Sequence, residues 1–312
     1  MREEREYTQF VIEMLDKIPS NKHLAALVKD EFSLTEPTER IRRNVSNIRS
    51  RNTFNLDKPI KRLFFDIETS PNIGLFWRTG WKNTNAPAHI IEERKIICIS
   101  YKWSYEDKVQ TITWDKNQCD KKMLEKFTKV MLKADEVVAH NGDRFDEKWI
   151  RTRCLFHRIP ALPKYKSLDT LKKVKRHFNF QSNTLAYIAN FVGVEAKGDP
   201  GGLDTWKAIM FEKCPEAMAR MVEYCEKDVR VLEEVYSAIN SYIYNNTNFA
   251  VLKGGYKHDC PECGSPKVKL VKDQSTTAGT IHKIMECTSC EKNYKINAKT
   301  YKDFVHHQTI DQ

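Results

Sequence analysis

Residues 63–69 read LFFDIET. Leu63, Phe64, Phe65 and Ile67 are bulky apolar side chains that suit a pleated core, so the segment is expected to be a buried strand. Side chains on a strand alternate faces, so Asp66 and Glu68, two apart, point the same way. Adjacent carboxylates repel, and the usual remedies are a shared proton or a shared cation. An acidic pair inside an apolar strand is therefore a candidate site. Alone, such a pair is more often solvated near a turn.

Further acidic residues extend the pattern. EVVAHN (136–141) reads as a second buried strand running into the turn Asn141-Gly142-Asp143, with Asp146 in the first turn of a following helix. The end of a strand is a usual place for site residues in an α/β sheet. From about Pro215 to Tyr244, Met218, Met221, Val222, Val229, Leu232, Val235, Tyr236 and Ile239 recur at three- and four-residue steps, the pattern of a long helix. Tyr224 and Asp228 then sit one turn apart on one face. Taken singly, Asn141 to Asp146 also suits a loop with a helix N-cap, and Tyr224 suits a core aromatic.

KIICISYKW and KVQTITW read as strands and CDKKMLEKFTKVMLKA as a helix, so the fold class is α/β, a mixed sheet with helices on its faces. Residues 70–94 are expected to form a long loop. Its Phe76, Trp77 and Trp81 either stack unpaired bases or pack the loop onto the sheet. Lys172, Lys173, Lys175 and Arg176 form a basic run beside QSNTLAYIA, where Ser182 or Asn183 could bond a phosphate or cap a helix. Gly198 to Gly202 reads as a flexible turn.

Three units are expected: residues 1–58, 59–250 and 251–312. Net charge is +10, with the basic excess mainly in 59–250, which suits a polyanionic substrate or an ordinary lysine-rich surface. No apolar run is long enough to span a membrane, and MREEREYTQF is too charged for a secretory signal, so a cytoplasmic location is expected. Five of the nine cysteines are scattered, as reduced thiols in such a compartment would be. The other four, Cys260, Cys263, Cys287 and Cys290, form C-x2-C, 23 residues, C-x2-C around a predicted hairpin. That spacing predicts a zinc ribbon holding one structural Zn²⁺, with disulfides or a redox dithiol as the alternative. His258 and His282 are bystanders, since four thiolates complete the shell. The lysines of the ribbon suggest a second nucleic-acid contact; a stability or protein-docking role is the alternative.

In the first unit, Phe10, Val11, Met14, Leu15 and Ile18 fit one amphipathic helix and Leu24, Leu27, Val28 and Phe32 a second. TERIRRNVSNIRSR fits a third, with Arg40, Arg42, Arg43, Arg49 and Arg51 opposite Ile41, Val45 and Ile48. Three helices with a basic last one resemble a helix-turn-helix, in which Arg42 and Arg43 would reach nucleic acid. A helical bundle or a protein-docking module fits the same pattern. Residues 52–60 read as a linker.

FDIET, the N-x-x-x-F-D of Asn141 to Asp146 and the Y-x-x-x-D of Tyr224 to Asp228 match the three motifs of the DEDD exonucleases, which are ribonuclease H-like 3′–5′ exonucleases. Tyr224 resembles the tyrosine (DEDDy) subclass; the histidine subclass would carry His where Glu223 stands. With FDIETSPN, SNTLAYIA and the C-terminal ribbon, the chain is similar to exonuclease-like proteins of bacteriophages. The nuclease resemblance covers about residues 60–245 and the ribbon about 256–300. It implies that Asp66, Glu68, Asp146 and Asp228 hold two divalent metals, that Glu68 contacts the attacking water and that Tyr224 orients it. Hard oxygen donors suit Mg²⁺ or Mn²⁺, and a phenol with a reference pKa of about 10 is a poor base at neutral pH. The resemblance also implies release of 5′-monophosphates from 3′ ends and places the SN-x-L-x-x-I segment near the site.

The expected function is thus a metal-dependent nuclease acting on nucleic acid, DNA favoured over RNA, with replication or repair proteins as the expected protein partners. Two alternatives stand: an RNA-processing or structure-selective nuclease with the same site, and a catalytically silent nucleic-acid-binding adaptor.

Overall fold

The computed structural model describes residues 7, 10, 11, 14, 20–52, 60–76, 86–162, 165–195, 198, 201–243, 247–252 and 254–310. Contacts divide the chain into two compact units, Ile60–Tyr244 and Met1–Pro59 with Asn245–Gln312.

The first of these units is built on β1 (Arg62–Thr69), the LFFDIET segment. It is followed by a short ribbon of β2 (Ile73–Gly74) and β3 (Ile90–Glu92), then β4 (Ile96–Trp103) and β5 (Gln110–Thr113). Helix α1 (Lys121–Met131), β6 (Glu136–Ala139), α2 (Asp146–Phe156) and β7 (Ser167–Asp169) complete a five-stranded sheet of order β5-β4-β1-β6-β7. β4 runs antiparallel to β1 and β5, whereas β6 runs parallel to β1 and β7. This is a mixed sheet of the ribonuclease H-like kind, and β1 lies at its centre.

Period-two alternation on β1 divides its side chains between two cores. Leu63, Phe65 and Ile67 pack with Met123, Leu124 and Phe127 of α1 and Ile150 and Cys154 of α2. Phe64 packs on the other face against α3 (Pro215–Asn240), whose Val229, Leu232, Val235 and Tyr236 are buried at helical spacing. Complete burial of each such side chain contributes about 1.5–3 kcal/mol. Asp66 and Glu68 share the face of Phe64 and so point toward α3. Pro215 at the first turn suits this helix start, because its missing N–H has no partner to make there.

The long loop expected at 70–94 is corrected in part. Ile73 and Gly74 pair with Glu92 and Ile90, because two apolar strand formers at 90 and 91 can hold a short ladder. Phe76 is exposed there, against His89; Trp77 and Trp81 lie outside the described residues. Two short helices, α4 (Thr170–His177) and α5 (Leu185–Phe191), follow β7. Thr184, not Ser182 or Asn183, caps α5 by accepting from the Tyr187 N–H. Before α3 stand a one-turn helix, Gly202–Lys207, and a π-turn, Ala208–Glu212. Gly201 has φ 89°, and a Cβ there would lie 2.3 Å from Thr205 Oγ1, so only glycine fits this corner.

In the other unit, Tyr7, Phe10, Val11 and Met14 are helical, and α6 (Asn21–Glu31) packs on α7 (Thr38–Asn52) through Leu24, Ala25, Val28, Ile41 and Val45. Leu15 and Ile18, and the side chains of Ile48, Arg49 and Arg51, lie outside the described residues. The ribbon is a three-stranded antiparallel sheet of β8 (Val268–Ser275), β9 (Ile281–Cys287) and β10 (Asn293–Asn297), with β9 central. After the ribbon comes a helix, Ala298–Ile310, with Phe304 and Tyr301 packed against the ribbon core.

Candidate active site and cysteine metal centre

Three of the predicted carboxylates converge. Asp66, Glu68 and Asp228 each offer an oxygen within 4.8 Å of the others. The strand supplies the first two on one face, and α3, packed across that face, supplies the third. Tyr224, one turn before Asp228, faces the Asp228 carboxylate, and each shifts the pKa of the other. Gly198 lies against the other side of this phenol: a Cβ there would stand 3.1 Å from the Tyr224 ring.

Asp146 stands outside that trio, buried in the first turn of α2, where its Oδ1 accepts the Ile67 N–H at 3.2 Å. Even so, it is the strongest charge acting on Asp66. Burial first, then Asp146, Glu68 and Asp228, hold the Asp66 carboxyl well above the usual carboxylate range. Glu68 is pushed up to about 8 by burial and by Asp228 and Asp146. Burial raises Asp146 to about 7 against the pull of two backbone N–H bonds, with Asp169 and Glu147 adding to the rise. Burial also raises Asp228, opposed by the neighbouring Tyr224 phenol and by Lys227, and burial and Asp228 raise the Tyr224 phenol. All four carboxylates thus resist ionisation together, and a cation is the remedy that leaves them charged. The donors are hard oxygens, which fit Mg²⁺ or Mn²⁺.

The surrounding loops are held by residues that the motif reading passed over. Asp169, buried at the end of β7, accepts from the N–H groups of Asn141, Leu171 and Lys172 through Oδ1. It thereby caps α4 and fixes the turn that leads to Asp146. Its Oδ2 is buried without a hydrogen-bond partner among the described residues. Asn141 sits at φ 68°, a left-handed conformation that asparagine tolerates. His140 spans 3.0 Å from Nε2 to the Asn183 carbonyl and 2.9 Å from Nδ1 to Thr170 Oγ1. Burial lowers its pKa, so the neutral ring with a proton on Nε2 suits these partners. Trp206 donates from Nε1 to the Thr69 carbonyl at 3.0 Å, tying the segment before α3 to the end of β1. Cys225 lies behind Asp66, with Sγ 3.6 Å from its carbonyl and its Oδ2. Asp169 directly before the helical run TLKKVKRH, an N-cap residue type at a helix start, is a signal that could have exposed it.

Several predicted nucleic-acid contacts are engaged within the chain. Lys172 pairs with Asp143. Lys173 is half-buried, and burial lowers its pKa. Ser182 Oγ lies 3.3 Å from Thr184 Oγ1, and Asn183 Oδ1 is buried without a hydrogen-bond partner among the described residues. Arg42 and Arg43 are exposed on α7 in the other unit, where Arg42 forms a forked pair with Glu39 at 2.7 and 3.0 Å.

The four ribbon cysteines gather independently. Their sulfurs lie within 4.8 Å of one another, with Cys260 to Cys290 and Cys263 to Cys287 both at 3.6 Å. Four sulfurs placed tetrahedrally about 2.3 Å from a zinc ion would be separated by about 3.8 Å, whereas a disulfide is about 2.05 Å long. All four are free thiols, and the set fits Zn²⁺. Gly264, at φ 79°, turns the first knuckle so that its N–H reaches the Cys260 carbonyl at 2.9 Å. His258 is buried, stacked on Tyr256 and outside the sulfur cluster; His282 sits in the β9 ladder.

Residues 90–240 match the family model of the RNase_H superfamily. This span holds Asp146, Tyr224 and Asp228 and begins after Asp66 and Glu68. The chain is also similar to the family B DNA polymerase from the hyperthermophilic archaeon Pyrobaculum calidifontis, at 15% identity and a TM-score of 0.44, over 59% of this chain. It covers 25% of the polymerase chain. No curated protein matches the sequence. Among the described residues, no helix is long and apolar enough to cross a membrane.

Proposed function

We propose that this protein is a metal-dependent nuclease of the DEDDy type, removing nucleotides from the 3′ ends of DNA and releasing 5′-monophosphates. The observation that carries the reading is the convergence of Asp66, Glu68 and Asp228, with Tyr224 one helical turn from the last of them. The ribonuclease H-like sheet and the family match over residues 90–240 support a nuclease-type chemistry. The 3′–5′ direction, the preference for DNA and the phage kinship rest on the motif resemblance.

In this reading Asp66, Glu68 and Asp228 hold divalent cations, with Asp146 completing the set from the first turn of α2. Two bound Mg²⁺ or Mn²⁺ ions would supply charge stabilisation at the scissile phosphate. Glu68 accepts a hydrogen bond from the attacking water. Tyr224, its phenol kept protonated, orients that water and does not deprotonate it. The ribbon cysteines hold one structural Zn²⁺.

The test is digestion of 5′-labelled single-stranded DNA and RNA of matched sequence with Mg²⁺, Mn²⁺ or EDTA, beside Asp66→Ala. A metal-dependent ladder shortening from the 3′ end, absent in the variant, is expected, with DNA cut faster. Internal cuts would overturn the direction. Folded, metal-loaded protein that cleaves no single-stranded, duplex or nicked substrate would leave a nucleic-acid-binding adaptor.

A further inference from the structure

Away from the carboxylates, the sheet-bearing unit has an aromatic groove of about 600 Å³ between the segment after α4, helix α5 and the end of α3. Phe178 and Phe180 stack at 5.3 Å and 23°, with Phe191 edge-on to Phe180 at 4.9 Å and Tyr242 edge-on to Phe178 at 6.2 Å. The inner pair is backed by the buried cluster that includes Ile188, Val235 and Ile239, so the ring array is held in place. Its outer members remain in water: Phe191 is 67% and Tyr242 70% exposed.

The chemistry of the rim selects the occupant. Asn179 and Gln181 line the groove and can bond base edges, while Lys175 and Arg176, exposed on the last turn of α4, bring positive charge to the chain just before its first lining residue, Phe178. Rings beside amides and cations suit an unpaired polynucleotide better than an apolar peptide, because every base offers a π-face and every linkage a negative charge. The groove also lies within reach of the site. Ala238 and Ile239 line it, ten and eleven residues past Asp228 on α3, about 15 Å along the helix axis. Stacked bases rise about 3.4 Å each, so a strand ending at the carboxylates arrives after about four or five nucleotides.

We infer that this groove stacks bases of the unpaired strand whose end lies at the carboxylates, a second subsite that sets how long a strand must be to bind tightly. The inference rests on the nuclease reading for the position of the strand end.

The test uses the full-length chain carrying Asp66→Ala, so that binding is read without cleavage, with and without Phe191→Ala and Tyr242→Ala. Fluorescence anisotropy is measured on a 12-nucleotide strand, a 3-nucleotide strand and a 12-nucleotide strand abasic at the fourth to sixth positions from its 3′ end. Both substituted rings are exposed, so folding is retained. Stacking predicts a five- to hundredfold weaker Kd for the intact 12-mer, no change for the 3-mer and a much smaller penalty for the abasic strand. Phe191→Trp should keep the affinity. An unchanged Kd for the intact 12-mer would overturn the inference and leave the groove to an apolar partner. With Asp66 restored, hydrolysis of the p-nitrophenyl ester of thymidine 5′-monophosphate reads the carboxylates alone and should not respond to the ring substitutions. Failure of the unsubstituted protein to hydrolyse this ester or any strand would count against the nuclease reading, while the length-dependent penalty would still decide the groove.

Discussion

Ile67 donates its backbone N–H to Asp146 Oδ1 at 3.2 Å, so the strand that carries Asp66 and Glu68 is tied directly to the first turn of α2. Asp146 therefore has two distinct properties, an acceptor oxygen that holds the fold and a charge that acts on Asp66. Substitutions separate them. Asp146→Asn keeps an acceptor and removes the charge; it is expected to fold with an equal or higher metal-free melting temperature while cleavage falls at least about a hundredfold. Asp146→Ala also leaves the Ile67 N–H unpaired and should lose about 1–3 kcal/mol of stability. Denaturant midpoints beside cleavage rates check both, and wild-type cleavage by Asp146→Asn would remove Asp146 from the metal set.

Tyr224 is placed to position, not to ionise. Burial, together with the Asp228 carboxylate one turn away, holds its phenol pKa above the ordinary value. Tyr224→Phe keeps the ring against Gly198 and loses only the hydroxyl. Cleavage should drop by about ten- to a hundredfold, the scale of a misplaced reactant, with metal affinity nearly unchanged. A pH–rate profile of the wild type should show no limb attributable to this phenol below pH 9. A variant turning over at the wild-type rate would end the positioning role.

The same electrostatics set how metal-free stability depends on pH. Glu68 and Asp146 are raised to about 8 and about 7 in the folded chain, above their unfolded values near 4. Groups raised on folding contribute stability that is fully present below about pH 4 and lost as pH rises through 7 and 8. For the metal-free protein, these two groups should therefore lower the melting temperature between pH 5 and pH 8.5. Mg²⁺ binds the ionised carboxylates, so the rise in melting temperature on adding it should grow over the same window. Calorimetry at several pH values, with and without Mg²⁺, measures both slopes, and Asp66→Asn should shrink the Mg²⁺ effect. A Mg²⁺ effect independent of pH would mean that the ion binds elsewhere.

The sites legible in the sequence were those whose spacing repeats a local geometry. Asp66 and Glu68 follow from strand alternation, Tyr224 and Asp228 from a helical turn, and the cysteine pairs from the knuckle. Their convergence is tertiary, and only the likeness to known motifs brought the elements together in advance. Asp169 and His140 escaped because their partners are the backbone of Asn141 and Asn183, which no side-chain pattern records. Trp206 escaped for a similar reason: its partner is the Thr69 carbonyl, 137 residues away. The C-terminal helix escaped because its anchors are Tyr301 and Phe304 on the ribbon core and His307 against Tyr256 and His258, a mixed set that makes too short an apolar stripe to read as amphipathic. The basic run at 172–176 was visible as charge, but its pairing of Lys172 with Asp143 depends on how the turn after β6 meets α4.

The ribbon makes a separable prediction, because its core is small and its sulfurs are central to it. Cys260 and Cys287 are fully buried beside Met285, Tyr294 and Phe304, so four thiols without a cation would leave weakly hydrogen-bonded groups at the middle of a three-stranded sheet. A structural zinc ion binds such sets with about 10–16 kcal/mol, more than a sheet of this size can supply by burial. Native mass spectrometry should therefore find one zinc per chain, and thiol titration of the denatured protein should find no disulfide. Stripping the zinc with a chelator, or the change Cys287→Ser, should abolish amide protection over residues 260–297 in hydrogen exchange. Hydrolysis of the small p-nitrophenyl ester, assayed with Mg²⁺ restored, should survive, since the carboxylates lie in the other compact unit. Zinc-free protein with an equally protected ribbon would mean that the sheet folds on its apolar contacts alone and that the cysteines serve some other chemistry.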